Sequence, residues 1–300
     1  MRTTFLVALA LAAPLAGCGN QTLVAGLFVN TPAVTVPSPV PGVGPMTYGP
    51  YTALLGYLSS IDTSQLTEIS SATITGIAGA QAQVVFESCL GVSDPTANAA
   101  CVSSGHGGTD RVFTVPDQGG GLYELLSTDQ PDLTFEQGVT YTLILQVPDG
   151  SGTDAYGARF QPGPPAQMVE FTNPSNGQPQ AVTLTAGSPL TVHRDDPQVS
   201  GQYLPAAVLV GQIDPNNPAT MPTIVYKSLD YTDPKTLALL VLSDEPYRVD
   251  HFDIPATAFA TSGYYVVTMV SLAEGTASAN AFIGSTVIAG SGAAGLVIVQ

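Results

Sequence analysis

The chain has 300 residues with 7 Lys and Arg against 23 Asp and Glu, a formal net charge of -16. Two lysines, Lys227 and Lys235, and scattered arginines cannot displace the counterions of a phosphate backbone, which excludes nucleic acid as a partner and a polybasic membrane patch with it. Charged residues are only 10% and apolar residues 44% of the chain, enough for one large core or two ordinary ones, and we expect two.

From the N-terminus, Arg2 precedes an unbroken apolar run from Phe5 to Ala13, and the chain then reads Leu15-Ala16-Gly17-Cys18. One basic residue, an apolar stretch too short to span a bilayer and small residues before a cleavage point make an export signal. The four residues ending in Cys18 resemble the lipobox of bacterial lipoproteins. The resemblance implies that residues 1–17 are a signal peptide, that Cys18 carries the diacylglyceryl group and that its freed amino group is acylated. It also implies a membrane contact through the lipid anchor, in the outer membrane of a Gram-negative envelope because Gly19 rather than Asp follows Cys18.

From Gly19 to Met46 there is no charge, and Pro32, Pro37, Pro39, Pro41 and Pro45 prevent a helix from propagating. We expect residues 18–47 to be the lipidated Cys and a flexible tether; the alternative is that Gln21 to Val29 packs as an edge strand. Leu54 to Leu66 is the one stretch with a trace of helical amphipathicity. Thereafter the apolar period is two. Strands are expected at Ser71–Ile77, Gln83–Glu87, Arg111–Val115, Thr140–Val147, Val182–Thr185, Leu190–His193, Ala207–Ile213, Ile224–Ser228, Leu237–Leu242 and Tyr264–Val270, with turn signals such as Asn176-Gly177 between them. The Pro-rich stretch Gln161 to Ala166 divides them into residues 48–165 and 166–300, each read as an antiparallel β-sandwich domain. Gly290-Ser291-Gly292-Ala293-Ala294-Gly295 fits the dinucleotide fingerprint but no helix or acid follows it. It is read as a turn joining strands Phe282–Ile288 and Leu296–Val299.

Two segments, Phe135 to Leu143 and Ile254 to Val267, resemble the turn-plus-Tyr corner of immunoglobulin-like sandwiches. The resemblance implies an all-β fold of two immunoglobulin-like β-sandwich domains in which the corner Tyr packs into the core and bonds nearby backbone. The core Trp and inter-sheet Cys pair of antibody domains are missing. With Cys18 lipidated, Cys89 and Cys101 remain as an even pair in an oxidising compartment, expected as a disulfide closing a loop that holds Gly91 and Asp94-Pro95.

No catalytic constellation survives inspection. No Ser sits in G-x-S-x-G or has a Lys three residues on, Pro234 breaks the helix that Tyr231-x-x-x-Lys235 would need, and Asp62-Thr63-Ser64 has no second copy. His106, His193 and His251 belong to no metal-ligand spacing, and His193 is read as a salt-bridged cap. Two oxygen-rich regions are candidate Ca2+ ligands, with plain solvation as the alternative: Asp149, Ser151, Thr153 and Asp154, and the group Asp230, Asp233, Asp244, Glu245, Asp250 and Asp253. Tyr226, Tyr231 and Tyr247, beside these acids, are the candidate ligand-binding aromatics. The expectation is a non-enzymatic envelope lipoprotein that displays β-sandwiches for adhesion or for binding a protein or glycan. Its alternatives are a carbohydrate-binding accessory or hydrolase with a loop-assembled site, and a structural subunit with an apolar patch and an unpaired edge strand.

Overall fold

Stretches rich in Val, Thr, Ile and Tyr pair as strands in the computed structural model, which is of the all-β class and describes residues 20–36, 44–62, 73–86, 111–133, 139–148, 153–199, 201–214, 220–233, 235–237, 240, 247–282 and 284–300. The strands are β1 (Asn20–Thr31), β2 (Val34–Val36), β3 (Met46–Tyr48), β4 (Tyr51–Asp62), β5 (Ile74–Gly76), β6 (Gln81–Phe86), β7 (Arg111–Val115), β8 (Asp117–Gly119) and β9 (Leu122–Leu126). They continue as β10 (Tyr141–Pro148), β11 (Thr153–Phe160), β12 (Val182–Leu184), β13 (Leu190–His193), β14 (Ala206–Gln212), β15 (Thr223–Lys227), β16 (His251–Ile254), β17 (Gly263–Glu274), β18 (Thr276–Ala277) and β19 (Thr286–Val299). Ten of them form one sheet in the order β15-β14-β17-β19-β1-β4-β9-β8, with β12 added on β19 and β5 on β4. A second sheet runs β18-β11-β10-β6-β7, and β13-β16 and β2-β3 are two-stranded ribbons.

The segment expected as a tether is, from Asn20 to Thr31, a strand in the middle of the large sheet. β1 is antiparallel to β4 along its whole length and parallel to β19 from Ala25 to Asn30. Leu23 to Phe28 are buried at every position. A strand covered on both faces reads as a continuous apolar run, so the missing charge marked burial, not exposure. The expected division at Gln161–Ala166 is crossed by this same sheet, which takes β1, β4 and β9 from one side and β14, β17 and β19 from the other.

Three further expectations change. Leu54 to Asp62 is strand β4 rather than helix. Lys235–Leu237 and Leu240 are helical rather than extended, and Asp233 caps that turn by accepting the Lys235 N–H at 2.9 Å and the Thr236 hydroxyl at 3.3 Å. The glycine-rich segment near the end is no turn: β19 runs through it unbroken, paired with β17 from Ile288 to Val299. Its glycines serve close packing. A Cβ on Gly295 would stand 2.1 Å from the Phe171 ring, and one on Gly290 2.3 Å from Val270 Cγ1.

Side-chain alternation sorts the large sheet's residues onto two faces, where they pack into three clusters. On one face Val24, Phe28, Leu54, Leu58, Val287 and Ala289 meet Val84, Tyr141, Leu143 and Phe160 of the second sheet. Phe28 lies 4.7 Å from the Tyr141 ring and 5.6 Å from Phe160, centroid to centroid. Farther along the same face Val208, Tyr265, Val267 and Val297 pack under the β13-β16 ribbon. The Tyr265 hydroxyl donates to the Thr261 carbonyl at 2.8 Å. The opposite face carries Leu27, Leu55, Tyr57, Val270, Leu272 and Ile288 against Leu229, Leu237 and Leu240.

A buried ion pair ties the ribbon region to β17. Arg194 and Asp196 side chains are 0% and 1% exposed. The guanidinium donates from Nε to Asp196 Oδ1 at 2.9 Å and from Nη2 to Oδ2 at 2.6 Å. Nη1 donates to the carbonyls of Leu204 and Val249, Nη2 also meets Ser271 Oγ, and the Ser271 hydroxyl donates to Asp196 Oδ2 at 2.9 Å. All five guanidinium N–H groups are thereby used.

Candidate functional site

Among the described residues, the opposite face of the large sheet is only partly roofed, and the part they leave uncovered is a trough. Alternation aims Leu27 and Val29 of β1, Ala53 and Leu55 of β4, Leu126 of β9, Leu209 of β14, Val266, Thr268 and Val270 of β17 and Ala294 of β19 into it. Leu229 and Tyr231 wall one side, while Val34, Tyr48, Met221, Pro222 and Ile224 wall others, enclosing about 260 Å³. Small side chains make the floor concave: Ala53, Ala207, Gly211 and Ala294 leave room that their Leu and Val neighbours do not. Gly211 also admits Pro222, since a Cβ there would lie 2.7 Å from the proline Cβ.

The trough has little charge. Among the described residues its lining holds one carboxylate, Glu124, and no Lys, Arg or His. Tyr57, buried beside it, donates its hydroxyl to the Tyr231 carbonyl at 3.0 Å and so fastens the wall to the sheet. Burial first, and then the charges of Asp230 and Glu124, push the Tyr57 phenol up to about 12.

The wall is braced from outside by Lys227, whose ammonium bonds Asp230 Oδ1 and lies 5.1 Å from the Tyr231 ring centroid. The Lys227 ammonium, then the Thr232 hydroxyl, hold the Asp230 carboxyl down at about 2 from an ordinary 3.8. A depressed acid stabilises the fold fully above its ordinary pKa, and that contribution is lost as pH falls through the folded value. Carboxyl-carbon NMR should therefore show Asp230 titrating near pH 2 in the native protein and moving up toward 3.8 in Lys227→Met.

The sequence-predicted site residues do not converge. Tyr231 lines the trough and Tyr247 packs on the same side of the sheet, but Tyr226 packs on the other. Asp230 and Asp233 have the local partners named above, Asp250 bonds its neighbour His251, and Asp154 lies exposed in β11, not in a loop. Among the described residues no three His, Cys, Asp or Glu side chains stand assembled, in the rotamers they occupy, around a point that would hold a metal ion. Cys18, Cys89, Cys101, His106, Asp149, Asp244 and Glu245 lie outside the described residues. No helix among the described residues is long and apolar enough to cross a membrane.

No protein-family model matches the chain, and no curated protein matches it. The trough itself escapes sequence reasoning because β1, in its floor, reads as a tether or at most an edge strand, and β4 carries a trace of helical amphipathicity. The signal was there in Leu23 to Val29, where both alternating sets of positions are apolar.

Proposed function

We propose that this is a lipid-anchored envelope lipoprotein, of the outer membrane by its Gly19, that binds the apolar chain of an amphiphile on its large sheet. The observation that carries this reading is the trough. Its lining draws on six adjacent strands, β14, β17, β19, β1, β4 and β9. Five interstrand gaps of about 4.8 Å give a span of about 24 Å. One leaflet's hydrocarbon is about 15 Å thick, half of about 30 Å, so a full acyl chain fits the span. Glu124 stands at the β9 end, and no described lining residue is a cation that opposes it, which suits a hydroxyl or ammonium head and disfavours a carboxylate one.

The anchor supports the same reading. Cys18 is two residues before the first residue of β1, at most about 7 Å of extended chain. A lipid on Cys18 would hold the body against the membrane, without the stalk expected from composition, where amphiphiles are at hand. The Tyr265 corner supports an immunoglobulin-like ancestry for the second core, and the reading needs no catalytic residue. A second reading, an assembly subunit, is supported by β15 at the end of the large sheet, where Ile224 and Val225 are 46% and 40% exposed.

The test is binding of a fluorescent single-chain amphiphile below its micellar concentration, with ammonium and carboxylate heads compared. We expect saturable binding that prefers the ammonium head and is lost in Ala294→Phe, which fills the floor. Equal binding by Ala294→Phe, or none by the native protein, would overturn the reading.

A further inference from the structure

The β13-β16 ribbon pairs His193 directly with His251. The two rings are 5.6 Å apart, centroid to centroid. Each has its Nδ1 committed to a carboxylate. His193 Nδ1 is 2.6 Å from Glu170 Oε1, and the other Glu170 oxygen accepts the His193 backbone N–H at 2.9 Å. His251 Nδ1 is 2.7 Å from Asp250 Oδ1. A neutral imidazole that gives its Nδ1–H to a carboxylate carries its lone pair on Nε2. That is the arrangement by which outer carboxylates orient metal-ligating histidines and raise their basicity.

A third donor stands close. Asp253 Oδ2 is 4.0 Å from His251 Nε2, while Asp253 Oδ1 is steadied by the Thr191 hydroxyl at 2.7 Å. With metal–nitrogen bonds of about 2.1 Å, a tetrahedral ion sets two imidazole centroids about 5.3 Å apart and two donor atoms about 3.4 Å apart. The observed ring separation of 5.6 Å is within about 0.3 Å of that centroid spacing. The exposed Asp253 side chain has about 0.6 Å to close on His251 Nε2, from 4.0 Å, and rotation of the two half-exposed imidazoles brings their Nε2 atoms to the same ion.

The geometry points to His193, His251 and Asp253 as a surface site for a first-row transition-metal dication, Zn2+ or Cu2+. Two imidazoles select these ions over Ca2+, which takes six to eight oxygens. The three carboxylates of Glu170, Asp250 and Asp253 outnumber the two imidazoles, so the site carries a net negative charge that attracts a cation. Three protein donors leave a fourth position for water or for a donor from another molecule, the open arrangement of a site that can bridge. The site is independent of the trough and of the anchor.

The test is titration of the intact protein with Zn2+, together with the electron paramagnetic resonance spectrum of one equivalent of Cu2+. We expect one ion per chain, a copper spectrum with two nitrogen ligands, and no competition from millimolar Ca2+. His193→Ala and His251→Ala should each remove one nitrogen. Glu170→Gln, which touches no metal, should weaken Zn2+ by about 10- to 100-fold. The double variant His193→Ala/His251→Ala keeps every cysteine and every acid, so it reports any binding elsewhere. Unchanged affinity and spectrum in that variant, or no binding by the native protein at millimolar Zn2+, would overturn the site. Both histidines are about half exposed, with side chains 55% and 45% accessible, so metal-free thermal unfolding should stay within a few degrees and separate lost ligation from lost fold.

Discussion

Asp196→Ala should lower the free energy of unfolding by about 3–5 kcal/mol, measured by urea titration at neutral pH. The carboxylate accepts both arms of Arg194 and the Ser271 hydroxyl in a site from which water is excluded. Its loss leaves a guanidinium buried with only carbonyls, one hydroxyl and the face of Tyr203, 4.7 Å from the ring centroid. An uncompensated buried charge is far more unfavourable than the intact pair is favourable. Folded domains are stable by only about 5–15 kcal/mol, so the single change removes a large share of the total. Replacing both members, in Arg194→Met/Asp196→Leu, should be less harmful than Asp196→Ala alone. A double variant that loses the sum of the two single effects would mean that the groups act independently. The pair matters to architecture because it locks Arg194 to β17 across the second core, just beyond the strand that carries His193.

What could be read in advance depended on how each segment is buried. Strands with one solvated face alternate, and β7 and β13 fall on the residues that alternation picks out, Arg111–Val115 and Leu190–His193. β1 does not alternate because it is covered on both faces. Its prolines, from Pro32 onward, belong to the chain after it rather than to the strand. Gly290, Gly292 and Gly295 look like turn formers and make β19 read as two strands. In place they are contact points, beside Val270, the Asn30 carbonyl and Phe171, and only the neighbours reveal that. The trough was illegible for the same reason: six strands brought together from residues 27 to 294 form it, and no short window contains them. Ionic details fared by range. The His193 contact with a carboxylate lies at a strand end as the pattern suggested, but its partner Glu170 comes from a separate turn at Val169–Phe171.

The two accounts of the N-terminal segment, tether and central strand, predict opposite results for Phe28→Ala. In a solvated tether the ring touches nothing, and truncation should change stability by less than about 0.5 kcal/mol. In β1 the ring is fully buried against Tyr141 and Phe160, and these stack on each other at 5.7 Å with Phe86 edge-on to Tyr141 at 4.5 Å. Removing it empties the centre of an aromatic cluster that joins the two sheets, and large-to-small changes of this kind remove about 3–5 kcal/mol. Three of the rings sit on strands held by long hydrogen-bonded ladders, so the cavity cannot collapse cheaply. We expect the upper half of that range in denaturant unfolding. The consequence reaches the trough, because Leu27 and Val29 flank Phe28 on the other face of the same strand. A β1 loosened by Phe28→Ala should bind the amphiphile more weakly although the substituted side chain never meets it. Weakened binding together with reduced stability would tie the first core, the inserted strand and the ligand face into one unit, whereas reduced stability with unchanged binding would separate them.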